Sequence, residues 1–166
     1  MRPLRLGHRE GTPSFARALP GRSTGFKHCS ERVVQFYNAG DLEGLVNTYA
    51  EDAILVTPDG ITAQGRAAIR EQVSRDKTAF PDETVGIDVM VEQGDTIAIE
   101  YTWAGTNTGP FVTPDGTKVP PTGKRVEIKG MDLAQMRDGK IAVHHMYADT
   151  MAVIGQLGLL PGGAST

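Results

Sequence analysis

The chain has 166 residues, 39% of them hydrophobic and 22% charged, with a formal net charge of -3. That suffices for one domain with a real core and is too apolar for a disordered chain. The mixed charges give the body no basic footprint for nucleic acid, no run of 18 apolar residues marks a membrane span, and a single cysteine, Cys29, excludes an intrachain disulfide and fits a cytoplasmic protein.

Residues 1–28 read as a flexible arm. They carry Pro3, Pro13, Pro20, several glycines and a scatter of arginines, without the apolar stretch of a secretory signal. Residues 29–166 read as the folded domain. Ser30 is a candidate cap for a helix with Val33, Val34, Phe36 and Tyr37, stopping near Asn38-Ala39-Gly40. Asp41 restarts a second helix through Leu42, Leu45, Val46 and Tyr49. Ala53–Thr57 reads as a strand, Pro58-Asp59-Gly60 as a turn, and Arg66 to about Thr78 as a third helix. Strands are predicted over Thr84–Gln93, Thr96–Thr106, Arg125–Arg137 and Lys140–Asp149. Gly94-Asp95 and Asp138-Gly139 are the hairpin turns between them. Gly109–Lys124, rich in Pro and Gly, is long for a hairpin loop and suits the rim of a binding site. Helices first and antiparallel strands afterwards imply an α+β fold.

Alternation puts Val143, His145, Tyr147 and Asp149 on one face of the last strand. Asp149 is then either an acid or base at the strand's end or the N-cap of a short helix, Thr150–Gln156. His145 and Tyr147 either orient Asp149 and bind a substrate oxygen or pack as aromatics. Trp103, near a strand end, is placed to line a pocket, while Tyr101 reads as core. Asn107 either holds a substrate carbonyl or satisfies a turn. His144 and His145 are strand neighbours pointing to opposite faces, so they do not share a metal ion. His144 is expected outward or in a subunit contact. No phosphate loop, dinucleotide fingerprint or nucleophile elbow is present, so no cofactor is expected. The off-pocket face, with Ala98, Thr102, Ala104, Met131, Leu133 and His144, is apolar enough to predict a homodimer.

Several segments carry a family resemblance. They are Phe36-Tyr37-Asn38-Ala39-Gly40-Asp41-Leu42, Tyr49-Ala50-Glu51-Asp52-Ala53, Gly65-Arg66-Ala67-Ala68-Ile69 and Ala79-Phe80-Pro81-Asp82. Trp103 to Phe111, Pro121-Thr122-Gly123-Lys124 and Asp138 to Asp149 with Gln156-Leu157-Gly158-Leu159-Leu160-Pro161 complete the set. In order and spacing, over about residues 31–161, the chain resembles the SnoaL-like polyketide cyclases of the nuclear transport factor 2-like superfamily.

The resemblance implies a cone-shaped α+β barrel of the cystatin-like kind, a curved antiparallel sheet packed on N-terminal helices, often dimeric and holding a deep pocket. It also implies a small-molecule substrate or ligand and cofactor-independent aldol-type cyclisation or isomerisation of a carbonyl or polyketide-like compound. Asp149 falls at the cyclases' catalytic aspartate and would be the acid/base, with His145 assisting. Asn107, Trp103 and Tyr147 would contact substrate. Asn107 stands where many members have histidine, Val143 where many have glutamate, and His145 where many have tryptophan. Ketosteroid isomerase chemistry would lose its main groups, with Thr57 and Val33 at those positions. The superfamily also contains binding proteins, so a non-catalytic ligand-binding dimer is the alternative.

Overall fold

The computed structural model describes residues 26–112 and 117–160. Most of the expected arm therefore lies outside the described residues. Helix α1 spans Phe26–Ala39, α2 Leu42–Val46, α3 Gly65–Ala79 and α4 Thr150–Leu157. The strands are β1 Tyr49–Val56, β2 Thr62–Gln64, β3 Thr84–Gln93, β4 Thr96–Thr106, β5 Phe111–Val112, β6 Lys118–Val119, β7 Arg125–Arg137 and β8 Lys140–Ala148. Six strands form one sheet in the order β2-β1-β8-β7-β4-β3, and β5 pairs with β6 separately. The α+β architecture follows the sequence pattern.

Local details differ. Ser30 lies inside α1 and is buried rather than capping it. Asp41 does cap α2, accepting from the Gly44 amide at 2.8 Å, but Tyr49 begins a strand instead of ending the helix. The sheet is not wholly antiparallel: β1 and β8 run parallel. Their connection passes through the rest of the domain, so no hairpin fixes their direction. At the β7–β8 turn Asp138 and Gly139 take φ of 51° and 72°. Both values suit the tight hairpin expected of an Asp-Gly pair.

Cross-strand partners share a face, so the register sorts the sheet into two sides. One row runs Met90, Ile99, Asp132, Met146. Beside it lie Ile97, Ala134, His144 and Leu55, and further along come Tyr101 with Gly130 and Trp103 with Ile128. Ile97 and Leu55 are 0% and 2% exposed, which marks this side as the inner one. The other side carries Val91, Ala98, Leu133, His145 and Val56 in one row, and Val89, Glu100, Met131 and Tyr147 in the next.

The inner side packs in two clusters. Tyr49, Ala53, Leu55, Ile69, Ile97, Met136 and Ile141 fill one end, under α3 and with Cys29 and Val33 of α1. Ala79, Phe80, Val126 and Leu157 fill the other, with Trp103, Phe111 and Val153 against them. Each fully buried aliphatic side chain stabilises by roughly 1.5–3 kcal/mol. Asn38 pins the end of α1 to β3, exchanging 2.9 and 2.8 Å hydrogen bonds with the Val85 backbone.

Gly130 separates the clusters by close approach. A Cβ built on it would lie 2.4 Å from the Tyr101 ring and hydroxyl. Gly130→Ala should therefore destabilise by about 1–3 kcal/mol through overpacking. Denaturant unfolding checks this, and a native midpoint for the variant would show that Tyr101 is free to move aside.

Candidate active site

The inner side between the clusters is incompletely covered. Ile99, Trp103, Ile128, Asp132 and Met146 all point inward yet stay half-buried. Incompletely covered, mostly apolar side chains with a few polar groups among them are the kind of lining a small-molecule site uses.

Three polar residues on this side form a chain. His144 on β8 is buried, and its Nε2 lies 3.0 Å from Asp132 Oδ2 on β7. Its Nδ1 lies 2.7 Å from the hydroxyl of Tyr49 on β1. For a neutral imidazole beside an ionised carboxylate, which only accepts, the ring proton sits on Nε2 and Tyr49 is the donor to Nδ1. Burial first, then the nearby Asp132 charge, hold the Tyr49 phenol well above its ordinary pKa, so it stays a donor. Tyr101 shows the same two causes. Asp132 Oδ1 is buried and also lacks a hydrogen-bond partner. Such an oxygen is ordinarily met by a water or a ligand, and among the described residues Glu83 Oε1 and Glu92 Oε1 share this state. One carboxylate oxygen is thus fixed by histidine while the other is uncommitted.

The residues expected from the sequence sit elsewhere. Asp149 lies just past β8, is exposed, and its Oδ1 accepts from the Ala152 amide at 2.9 Å as the N-cap of α4. His145 and Tyr147 do share one face, and the Tyr147 hydroxyl comes within 3.5 Å of His145 Nδ1. That face is the outer one, with Tyr147 54% exposed. The register with β7 and β1 turns His144, Met146 and Ala148 inward, which corrects both the pocket placement of His145 and Tyr147 and the outward placement of His144.

Asn107 is wholly buried beyond the end of β4. Its amide donates to the carbonyls of Ala79 (3.1 Å) and Gly109 (2.9 Å), and its Oδ1 accepts from the Thr122 amide (2.9 Å) and hydroxyl (3.1 Å). All its side-chain polar capacity is spent on the end of α3 and two loops, so it offers nothing to a substrate in this arrangement. Trp103 is the expected residue that lies half-buried on the inner side.

A second buried polar group was not foreseen. Glu83, at the start of β3, is 2% exposed and meets Trp103, Tyr37 and Lys77. Burial pushes its carboxyl pKa up, and those three partners oppose the rise. Its sequence signal is faint, a lone acid after Phe80-Pro81-Asp82. Among the described residues no group of three His, Cys, Asp or Glu side chains is placed to hold a metal ion. No helix among them is long and apolar enough to cross a membrane.

The sequence model of the SnoaL-like polyketide cyclases matches residues 27–157. Solved structures share the fold. TsrD from Streptomyces laurentii is 23% identical with a TM-score of 0.72, covering 85% of this chain and 100% of its own. IdmH from Streptomyces antibioticus, named as a candidate polyketide cyclase, is 27% identical with a TM-score of 0.66, covering 80% and 97%. TerC, crystallised with polyporic acid, is 21% identical with a TM-score of 0.63, covering 80% and 97%. No curated protein matches the chain.

Proposed function

We propose that this chain, which belongs to the SnoaL-like polyketide cyclase family, binds a carbonyl or polyketide-like small molecule in the inner hollow and moves its protons with Asp132. The observation that carries this reading is the split carboxylate: Oδ2 held by His144, Oδ1 buried without a hydrogen-bond partner. Family membership supports a small-molecule pocket protein, and TerC, of the same fold, was crystallised with polyporic acid.

The chemistry needs no redox partner. Asp132 Oδ1 takes a proton from the carbon next to a carbonyl, leaving an enolate and a carboxylic acid. The Tyr101 hydroxyl donates to the enolate oxygen where negative charge develops. In a cyclase the enolate carbon then attacks a second carbonyl of the same molecule, and the new alkoxide recovers the proton from Asp132. In an isomerase the proton returns to a different carbon. His144 holds the carboxylate, and Tyr49 holds His144.

Asp149 and His145 are the competing acid/base pair that the family resemblance implies. Geometry favours Asp132, because it faces the inner side of the sheet while Asp149 is exposed at the cap of α4. A non-catalytic binding protein is the second reading. The Tyr49–His144–Asp132 chain, in which each side chain already serves to hold its neighbour, favours it. The test is a screen of polyketide-like carbonyl compounds in deuterated water, read by mass. Native protein should place deuterium next to the carbonyl or yield a cyclised product. Tight binding with no exchange of any compound would leave the binding reading standing.

A homodimer through the outer face belongs to the same proposal. Val89, Val91, Met131 and Tyr147 are each more than half exposed there, in adjacent rows. Met131 and Tyr147 are direct cross-strand neighbours, Glu100 stands between Met131 and Val89, and exposed apolar side chains grouped in this way mark association surfaces. His144 is not among them, since it points inward. Light scattering at micromolar concentration should give twice the chain mass, and Met131→Lys should shift it towards the monomer. A monomeric native protein rules the surface out.

A further inference from the structure

We propose that Glu83 is a positioning residue that locks Trp103 as a rigid wall against which a flat conjugated ring is bound. Glu83 Oε2 accepts from the Trp103 indole Nε1 at 2.8 Å. Tyr37 of α1 stands near enough to the same carboxylate to oppose the rise of its pKa. Lys77 of α3 lies 3.5 Å from Oε1, donates to the Glu83 carbonyl at 3.3 Å, and stands 4.3 Å above the Tyr37 ring. One buried acid therefore ties α1, α3 and β4 at the indole nitrogen.

Packing alone does not call for this arrangement. Well-packed apolar residues commonly replace a buried ion pair without loss of stability. What the carboxylate adds is direction, because an indole N–H has one donor and a buried acceptor fixes the ring's rotation. Phe80 meets Trp103 edge-on at 5.0 Å, and Phe111 meets Phe80 at 6.5 Å. The indole is thus fixed at its nitrogen and braced by an aromatic edge while remaining half-buried on the inner side. A held aromatic face favours a planar, offset-stacked partner over a flexible aliphatic one. The inference rests on reading the inner side as a ligand hollow, but not on Asp132 being catalytic.

Trp103 is the chain's single tryptophan, so its emission reports this wall alone. The probe is 1,8-dihydroxyanthraquinone, followed by quenching of that emission. Native protein should bind it with quenching, and its indole N–H should exchange slowly with solvent. Glu83→Leu should lower affinity by roughly two- to tenfold and expose the indole to acrylamide. Glu83→Gln, which keeps an acceptor, should stay near native in both. The proposal is overturned by no quenching in the native protein, by an indole N–H exchanging as fast as a free one, or by Gln and Leu variants that behave alike. The exchange measurement needs no variant, so it decides even where Glu83→Leu does not fold. Deuterium exchange at Asp132 is a separate readout, and its failure leaves this result intact.

Discussion

Asp132→Asn should fold, bind ligand, and lose turnover by about 10²–10⁴-fold, the usual contribution of a positioned base. Asparagine keeps the shape and still offers a carbonyl oxygen to His144 Nε2, now 3.0 Å from the carboxylate. Stability should remain within about 1 kcal/mol, because the neutral amide preserves a hydrogen bond of ordinary strength. The group that takes the proton is gone. Asp149→Asn is the matched control. Asparagine caps a helix about as well as aspartate, and the cap bond to Ala152 is the interaction Asp149 makes. That variant should be nearly silent in stability and turnover. Reversal of the two results, with Asp149→Asn inactive and Asp132→Asn active, would sink the assignment to Asp132 and restore the strand-end aspartate. Substrate bound with native affinity but turned over slowly separates loss of the base from loss of the site.

The contrast between these carboxylates shows what was legible in the sequence. Alternation correctly grouped His145 with Tyr147 and set His144 on the opposite face. It did not say which group points inward, because both faces of β8 carry histidine and large side chains. The outer face is itself apolar, with Val91, Ala98 and Leu133 in line with His145. An apolar outer face erases the hydrophobic-in, polar-out signal that normally settles the question. Orientation came from register with β7 and β1, partners far away along the chain. The parallel pairing of β1 with β8 was hidden for the same reason. Helices, hairpin turns and four long strands were legible because their cues are local: Asp41 as a cap, Asp138-Gly139 as a turn, unbroken alternation along β4. Asp132 had no local cue at all. An aspartate in Gly130-Met131-Asp132-Leu133 becomes notable only when Tyr49 and His144 are brought beside it.

Asn107→Ala should be the most destabilising of the polar substitutions, by about 2–4 kcal/mol, with little effect on ligand affinity. The side chain joins three segments that make no regular ladder with one another: the end of α3 at Ala79, the loop at Gly109, and the approach to β7 at Thr122. Its backbone adds two more bonds, from its own amide to the Lys124 carbonyl and from the Gly123 amide to its carbonyl, each 2.9 Å. Alanine keeps the backbone bonds and strips the side-chain ones. The Ala79 carbonyl still accepts from the Gly109 amide at 3.2 Å, but the Gly109 carbonyl and the Thr122 amide lose their side-chain partner at a wholly buried position. Each buried group left unmet costs about 1–3 kcal/mol. For a domain of this size the loss lowers Tm by on the order of 10 °C. Asn107→Asp should be worse than alanine, because its carboxylate would face two carbonyl oxygens that need donors. A substrate-binding asparagine would give the opposite pattern, a near-native melting curve with weakened binding. Thermal unfolding beside ligand titration distinguishes the two, and an alanine variant within about 0.5 kcal/mol of native stability, the range of an ordinary surface change, would return Asn107 to the substrate.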